Sequence, residues 1–245
     1  MSNLYESNRI LSEYLLFHYG TADQILPAGP GCPPGMREAL DFAVRTTRHF
    51  SKGTVKRGLD LGCAVGRSAF EMSRHCDEVV GIDFSHAFVR AAESLRLGET
   101  LDLERCEEAS LRTTLQVRIP EQVDGTKLKF FQGDAMDLST ELGGFDRVHA
   151  ANLVCRLTHP KRLLDRLPSL VNPGGELLLA TPCTWLEEFT PSENWPGKPT
   201  FDWLKDLLSG DFTLLRSQDE PFLIRETARK FQWTSSLVTV WRRHE

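Results

Sequence analysis

The chain has 245 residues, of which 40% are hydrophobic and 26% are charged, a balance that fits one globular domain. Its 29 basic and 34 acidic residues leave a net charge of −5, which argues against a positive field that would draw the protein to nucleic acid or to an anionic membrane. A small molecule is therefore the expected partner.

The cysteines and the amino-terminal residues point to a cytoplasmic protein. The six cysteines are scattered without a C-x-x-C pair, which argues against a zinc ribbon and a disulfide framework. The segment "MSNLYESNR" lacks a basic region followed by an apolar run, and no window approaches the roughly 20 apolar residues of a membrane span. His75, His86, His149 and His159 have no metal-ligand spacing, so we expect no metal.

Residues 1–52 predict two helices that precede the core and cap it. The first, "ESNRILSEYLLFHYG", stops at Gly20, and the second, "PPGMREALDFAVRTTRHF", begins with prolines. In the first helix, Tyr14, His18 and Tyr19 lie at helical spacing. They are either a lid that stacks on a substrate ring or plain core packing.

From residue 53 onward, strand-like runs alternate with helical stretches, which predicts a largely parallel sheet with helices on both faces. The candidate strands are "VKRGLDL", "EVVGID", "KLKFFQG", "FDRVHAAN", "GELLLAT", "FTLLRS" and "SSLVTVW". The intervening helices begin near Gly66, Ser85 and His159, with Ser85 as the expected N-cap of the second.

Two segments interrupt this alternation. Residues 98–126 are too long and too polar for a simple connection, so we expect an insertion made of a helix extension and a surface hairpin. Residues 182–200 mix proline, tryptophan and acid directly after the fifth strand. That position is the carboxyl edge of the sheet, where such folds bind ligands, so the segment is the candidate substrate loop.

The stretch "LDLGCAVGRS" joins the first strand to the first core helix. It matches neither G-x-G-x-x-G nor the Walker loop, but reads D-x-G-x-G-x-G with Ala64 in place of the middle glycine. Small residues at these positions let the backbone pass close to a ligand. The charge of Asp60 would repel a diphosphate and favour the ammonium of a methionine moiety, so the loop suits S-adenosylmethionine, with an ordinary strand-to-helix turn as the alternative.

Two later acids complete this pattern. Asp83 lies 23 residues after Asp60, where an acid can bind both ribose hydroxyls. Asp134, in "FFQGDAMDL", can accept the adenine amino proton while the backbone of Ala135 meets the ring edge. The predicted cofactor-binding residues are Asp60, Gly62, Cys63, Ala64, Gly66, Asp83, Phe84, Ser85, Gly133, Asp134, Ala135, Asn152 and Leu153.

In this order the motifs resemble those of the class I methyltransferases, over about residues 53–241. The resemblance implies a Rossmann-like α/β fold in a single domain over residues 1–245. Its sheet has seven strands, mostly parallel with an antiparallel last strand, with helices on both faces and an N-terminal helical lid.

The flanking segments indicate a particular group within the class I methyltransferases. "YESNRILSEYLLFHYG", "ALDFAVRTTRHF", "TWLEEFTP" and "FLIRETARKFQWTSSLVTVWRR" resemble the ovothiol-pathway mercaptohistidine ring-N-methyltransferases. This resemblance implies S-adenosylmethionine as the cofactor and the imidazole ring of 4-mercaptohistidine as the methyl acceptor.

An amino-acid acceptor needs groups that bind its carboxylate and its ammonium. Asn152 ends the fourth strand beside the expected point of methyl transfer. Arg156 follows one turn later and either holds the carboxylate or lies on the surface. With Tyr14 and Tyr19, these two residues are the predicted substrate-positioning set.

Other charged and aromatic residues have weaker claims on the substrate. Arg45 and Arg48 share a helix face and either meet a carboxylate or are solvated. A basic cluster between the last two strands is an exposed hairpin end unless that turn folds back over the site. The remaining candidates are the loop residues Trp185, Glu187 and Glu188 and the basic residues Arg225, Arg229 and Lys230.

Two alternatives stay open. One keeps the fold and methylates another small nitrogen, oxygen or sulfur nucleophile, and the other is a non-catalytic module that keeps the fold for binding. A nicotinamide-dependent oxidoreductase is disfavoured because its glycine fingerprint is missing.

Overall fold

The computed structural model describes residues 3–28 and 32–245, so residues 1, 2 and 29–31 of the predicted cap lie outside the described part. Within it, seven strands form one sheet in the order β5-β2-β1-β6-β7-β9-β8, and β3 and β4 form a separate hairpin. The strands are β1 Val55–Leu61, β2 Cys76–Asp83, β3 Leu101–Glu108, β4 Leu111–Val117, β5 Leu128–Gln132, β6 Phe145–Ala151, β7 Val171–Thr181, β8 Phe212–Arg225 and β9 Phe231–Arg243.

Strand direction follows the prediction. β1 pairs in parallel with β2 and β6, β2 with β5, and β6 with β7. β9 runs antiparallel to both of its neighbours, β7 and β8. The predicted Rossmann-like fold is confirmed, and the strand order reverses between β1 and β6, where open α/β sheets bind their ligands.

Helices cover both faces of the sheet. They are α1 Asn8–Tyr19, α2 Ala22–Ile25, α3 Phe42–Thr47, α4 Arg67–Met72, α5 His86–Arg96, α6 Pro160–Leu170 and α7 Thr200–Leu208. Ser85 caps α5 as predicted, because its hydroxyl accepts the N–H of Phe88 at 3.2 Å. The second cap helix is shorter than predicted: α3 begins only after Asp41, whose φ of 57° cannot continue a helix from the preceding turns.

Two buried apolar clusters, one on each face of the sheet, form the core. Along β1, Leu59 and Leu61 contribute to the cluster that α6 and α7 cover. Because successive side chains of a strand alternate between faces, Asp60 lies on the opposite face, under α3 and α4. Among the described residues, no helix is both long and apolar enough to cross a membrane.

The insertion at residues 98–126 forms the predicted surface hairpin, but the predicted helix extension is absent. Gly98 has φ +85°, and α5 ends there in a Schellman motif. The N–H of Gly98 bonds to Leu95 O and that of Glu99 to Ser94 O, both at 3.0 Å. The hairpin then packs on the cap, where Glu104 N donates to Ser12 Oγ at 3.1 Å.

The β8–β9 turn folds back over the cap, so the expected exposed hairpin end is wrong for Arg225. Arg225 is only 7% exposed, and its side chain donates to Glu107 Oε2 of the inserted hairpin at 2.7 Å. It also donates to the carbonyl of Ile25 at the end of α2 at 3.2 Å. Arg225 therefore joins the cap, the inserted hairpin and the last two strands. Lys230 stays exposed and pairs with Glu226.

Candidate active site

The loop after β1 presents bare backbone at the carboxyl edge of the sheet. Gly62, Ala64 and Gly66 have φ values of +67°, +46° and +87°. A Cβ on Gly66 would meet Phe130 Cζ at 2.9 Å, and one on Gly62 would meet Leu153 Cδ1 at 3.1 Å. These two positions therefore need glycine, whereas Ala64 accepts the left-handed conformation at some cost in strain.

Asp83, at the end of β2, connects this loop to the neighbouring strand. Its Oδ2 accepts the N–H of Ala64 at 2.8 Å, and its Oδ1 accepts the N–H of Ser85 at 2.9 Å. Burial raises the pKa of the carboxyl to about 6, against the opposing effect of these backbone donors. A carboxylate has about four acceptor positions, so Asp83 can still bind ligand hydroxyls.

Asp60 corrects the prediction of a direct contact with a ligand ammonium. Its carboxylate is 1% exposed, because residue 60 is still inside β1 and its side chain enters the core. Oδ1 lies 2.8 Å from His149 Nδ1, and Oδ2 accepts the hydroxyl of Ser68 at 2.6 Å. The alternation Leu59-Asp60-Leu61 carried the signal for this orientation.

Three other predicted residues have side chains that are engaged or buried within the protein. Ser85 Oγ caps α5 and donates to Tyr5 O at 3.1 Å. Tyr19 donates its hydroxyl to Val65 O at 2.7 Å. Cys63 is 1% exposed, and burial raises the pKa of its thiol. These residues can offer backbone to a cofactor, but their side chains are committed elsewhere.

The rim beyond β5 carries the predicted adenine site. Gly133 N donates to Asp83 O at 2.9 Å, which brings this rim next to Asp83, the predicted ribose-binding acid. Asp134 Oδ1 accepts the N–H of Met136 at 2.8 Å, and Ala135 is 8% exposed. On the other side of Asp83, Phe84 is 45% exposed and offers a flat apolar surface.

At the end of β6, Asn152 has φ 55°, and its Oδ1 accepts the hydroxyl of Ser236 at 2.7 Å. Cys183, two residues after β7, has a similar φ of 54°. Left-handed residues other than glycine are strained and concentrate at functional sites. The backbone is therefore held in unusual shapes at the ends of β1, β6 and β7.

Arg156 faces this edge from a short 3₁₀ turn, Val154–Arg156. Its Nη1 donates to the carbonyls of Cys155 and Thr184 at 3.2 and 3.0 Å. The guanidinium carbon lies 4.7 Å from the ring centre of Phe189. These contacts hold a cation beside the candidate substrate loop.

An aromatic cluster adjoins Arg156. The Tyr14 ring lies 4.7 Å from Phe88 and 6.0 Å from Tyr5, and the Tyr5 ring lies 6.3 Å from Phe189. The two phenols share a hydrogen bond, and burial raises the pKa of both, so both stay protonated at neutral pH. Sequence reasoning found Tyr14 but missed the other three rings, because they come from segments with no common motif.

His18 lies one turn after Tyr14 and stacks on it with ring centres 5.9 Å apart. Its Nδ1 is buried and has no hydrogen-bond partner among the described residues. Burial lowers the pKa of the imidazole to about 3, so the ring is neutral. A buried polar atom without a partner is costly, which fits a position completed by a bound ligand.

Residues before α1 dock on the start of α5. The carboxylate of Glu6 accepts the N–H groups of His86 and Ala87 at 2.8 and 3.3 Å. A negative charge is favoured at a helix N-terminus. With the Ser85–Tyr5 bond, this contact fixes the amino-terminal segment against the Asp83 side of the edge.

The remaining candidates are either engaged in contacts within the fold or exposed. Arg45 pairs with the buried carboxylate of Glu220, which corrects the expectation of a substrate carboxylate or a solvated face. Trp185 donates to Thr200 Oγ1 at 3.0 Å, whereas Arg48, Glu187 and Glu188 are exposed. Within the described part of the chain, no three His, Cys, Asp or Glu side chains gather as a metal site requires.

Comparison with known proteins shows which domain family the chain matches. A family model described as a methyltransferase domain matches residues 35–221. No curated protein matches the chain.

Solved structures share the fold at low identity. The N-methyltransferase NodS from Bradyrhizobium japonicum, bound to S-adenosyl-L-homocysteine, is 17% identical with a TM-score of 0.55, over 83% of this chain and 84% of that one. A SAM-dependent methyltransferase from Methanosarcina mazei is 17% identical with a TM-score of 0.55, over 80% and 95%. A protein that converts a disulfide bond into a thioacetal in echinomycin biosynthesis is 16% identical with a TM-score of 0.53, over 83% and 81%.

Proposed function

Because the chain belongs to the methyltransferase-domain family, we propose that it transfers the methyl group of S-adenosylmethionine to a ring nitrogen of 4-mercaptohistidine, a step of ovothiol biosynthesis. The protein is an S-adenosylmethionine-dependent methyltransferase, and the specific acceptor is the proposal. Its main support is the position of Arg156, a cation against an aromatic cluster at the carboxyl edge of the sheet.

Residues of the β1–α4 loop and its neighbours suit the cofactor. The loop backbone at Gly62, Ala64 and Gly66 would form the floor of its site, since these residues carry little or no side chain of their own to cover the main chain. Asp83 would accept the ribose hydroxyls, and Asp134 the adenine amino group.

When bound, S-adenosylmethionine supplies a methyl group on a sulfonium, which a nucleophile takes in an in-line displacement. The work of the protein is then to position the acceptor nitrogen about 3 Å from that carbon and to exclude water. Arg156 would hold the acceptor carboxylate with its planar fork. Tyr5, Tyr14 and Phe189 would enclose the ring.

The reaction does not need a strong base from the protein. A ring nitrogen of mercaptohistidine has an available lone pair, and the adjacent thiolate offsets the positive charge that forms on methylation. The side chains of the lid agree with this mechanism, because Tyr14 stays protonated and the pKa of His18 is too low for a base at neutral pH.

The test is a mass-spectrometric assay with 4-mercaptohistidine, histidine, the decarboxylated amine of 4-mercaptohistidine and a panel of small nucleophiles. Methylation of 4-mercaptohistidine in strong preference to histidine and to the amine would support the proposal. In Arg156→Ala the preference over the amine should disappear, whereas Arg162→Ala, an exposed arginine on α6, should keep it. Equal turnover of acid and amine by the unaltered enzyme would contradict the role of Arg156.

A second candidate acceptor is another small nitrogen, oxygen or sulfur nucleophile. The echinomycin-pathway neighbour, whose reaction involves sulfur, favours testing thiols in particular. Turnover of another panel member without turnover of 4-mercaptohistidine would establish this alternative. Cofactor binding without any turnover would indicate a non-catalytic module.

The six cysteines are all free thiols, which supports the proposed cytoplasmic location.

A further inference from the structure

His149 is a buried titratable residue with no part in the mechanism above. It lies on β6 directly beside Asp60 of β1 in the parallel register, and it is 1% exposed. Its Nδ1 lies 2.8 Å from Asp60 Oδ1, and its Nε2 lies 3.0 Å from Thr46 Oγ1. Both ring nitrogens are therefore engaged inside the core.

These contacts continue to the cofactor loop. Asp60 Oδ2 accepts the hydroxyl of Ser68, in the first turn of α4, at 2.6 Å. Residues 62–66 lie between Asp60 and α4, so the carboxylate holds the start of that helix against the end of β1 from inside the core. A buried carboxylate needs such partners, because an unpaired charge in a protein interior is strongly destabilising.

The other end of this chain of contacts is in the N-terminal cap. Thr46 belongs to α3 and is fully buried. The same helix is fixed to β8 through the ion pair of Arg45 with Glu220. Hydrogen bonds thus run without interruption from the cap, through His149, to the helix that follows the loop.

We propose that His149 is a positioning residue: through Asp60 it holds the β1–α4 loop in its cofactor-binding shape, and through Thr46 it makes that shape depend on the docking of α3. The inference rests on the S-adenosylmethionine cofactor and holds whichever acceptor is methylated. It also assigns a role to Asp60, which acts on the cofactor through the loop.

The experiment measures the Kd of S-adenosyl-L-homocysteine by calorimetry, without any acceptor, so its outcome is independent of the proposed substrate. Thr46→Val removes the hydroxyl with little change in shape. Thr47→Val is the matched control, because the one partner of the Thr47 hydroxyl among the described residues is Val44 O of its own helix, at 2.8 Å. We expect Thr46→Val to raise the Kd about tenfold, which is ~1.4 kcal/mol, and Thr47→Val to leave it unchanged.

Two further variants separate positioning from a general loss of stability. Thr46→Ser keeps the hydroxyl and should restore the Kd. His149→Asn keeps a donor near Asp60 but cannot reach Thr46, so its Kd should match that of Thr46→Val. The double variant Thr46→Val/His149→Asn should bind no more weakly than either single variant. Amide hydrogen exchange of residues 62–66 should be faster in Thr46→Val than in Thr47→Val.

The inference is overturned if the Kd of Thr46→Val stays within about twofold of the unaltered protein, even where its Tm falls. It is also overturned if Thr47→Val weakens binding equally, or if the effects of Thr46→Val and His149→Asn simply add. Because Thr46→Val is isosteric, the test stands even if His149→Asn does not fold.

Discussion

The proposed cofactor side and the proposed acceptor side of this active site are built differently. On the cofactor side, Asp83 and the loop of residues 62–66 follow adjacent strands and bond to each other, as in the 2.8 Å contact of Asp83 with Ala64. On the acceptor side, Tyr5, Arg156 and Phe189 meet from segments far apart in the chain. One side is organised by local strand ends, and the other by long-range packing.

The two sides also differ in how their polar groups are satisfied. Asp60 and Asp83 have protein partners for both carboxylate oxygens. By contrast, His18 Nδ1 has no partner among the described residues, and Arg156 stacks on an aromatic ring beside main-chain carbonyls. On the proposed assignment, the cofactor side is therefore preorganised, whereas polar groups on the acceptor side would gain partners from a ligand.

The largest effect is expected at Asp83. Asp83→Ala should raise the Kd of S-adenosyl-L-homocysteine about 100-fold, because hydrogen bonds to a charged group contribute about 1.5–3 kcal/mol each. The free energy of unfolding, followed by the Tm, should change much less than the free energy of binding. Asp102→Ala, on the inserted hairpin, is the control and should bind normally. An unchanged Kd in Asp83→Ala would remove Asp83 from the ribose site.

A somewhat smaller effect is expected on the acceptor side. Arg156→Ala should raise the KM of a carboxylate-bearing acceptor about 30-fold, through the loss of a charge-assisted hydrogen bond of ~2 kcal/mol. The Kd of S-adenosyl-L-homocysteine should stay within about twofold. If cofactor affinity fell as far as acceptor affinity, the division of the site into two sides would be wrong.

The pH dependence tests the cofactor side alone. Since the pKa of Asp83 in the free protein is about 6, the affinity for S-adenosyl-L-homocysteine should fall as pH drops through 6, by about tenfold at pH 5. Folding stability depends on pH in the opposite direction. The Asp83 carboxyl stabilises the folded state most below its ordinary pKa, and this contribution is lost as pH rises through 6. Calorimetry from pH 5 to 8 should show this loss of affinity at low pH, whereas the affinity of Asp83→Asn should not change with pH.

The smallest effect is expected at Ala64. Ala64→Gly relieves a left-handed alanine but adds freedom to the unfolded chain, and these two effects nearly cancel. We expect the free energy of unfolding to rise by at most ~1 kcal/mol, which corresponds to a Tm increase of at most about 2–4 °C by calorimetry. Gly66→Ala should instead lower the Tm, because its Cβ would clash with Phe130.

The parts of the fold that depend on neighbouring residues were predicted well. The bounds of β1, Val55–Leu61, and the Ser85 cap of α5 both match the sequence pattern. The inward orientation of Asp60 could be predicted from its apolar neighbours, but the D-x-G-x-G-x-G motif led to the different prediction of a ligand contact. The burial of Arg225 was not readable, because its partners Glu107 and Ile25 lie more than 100 residues away.

By itself, the sequence determined the α/β class, the order of the strands along the chain and the left-handed turn that we propose serves the cofactor. These features follow from side-chain periodicity and from backbone conformations that only small residues adopt readily. Only the tertiary structure decided that Asp60 faces His149, that Arg225 joins three segments and that Tyr5 meets Phe189. Such contacts depend on the packing of distant segments, which no local pattern encodes.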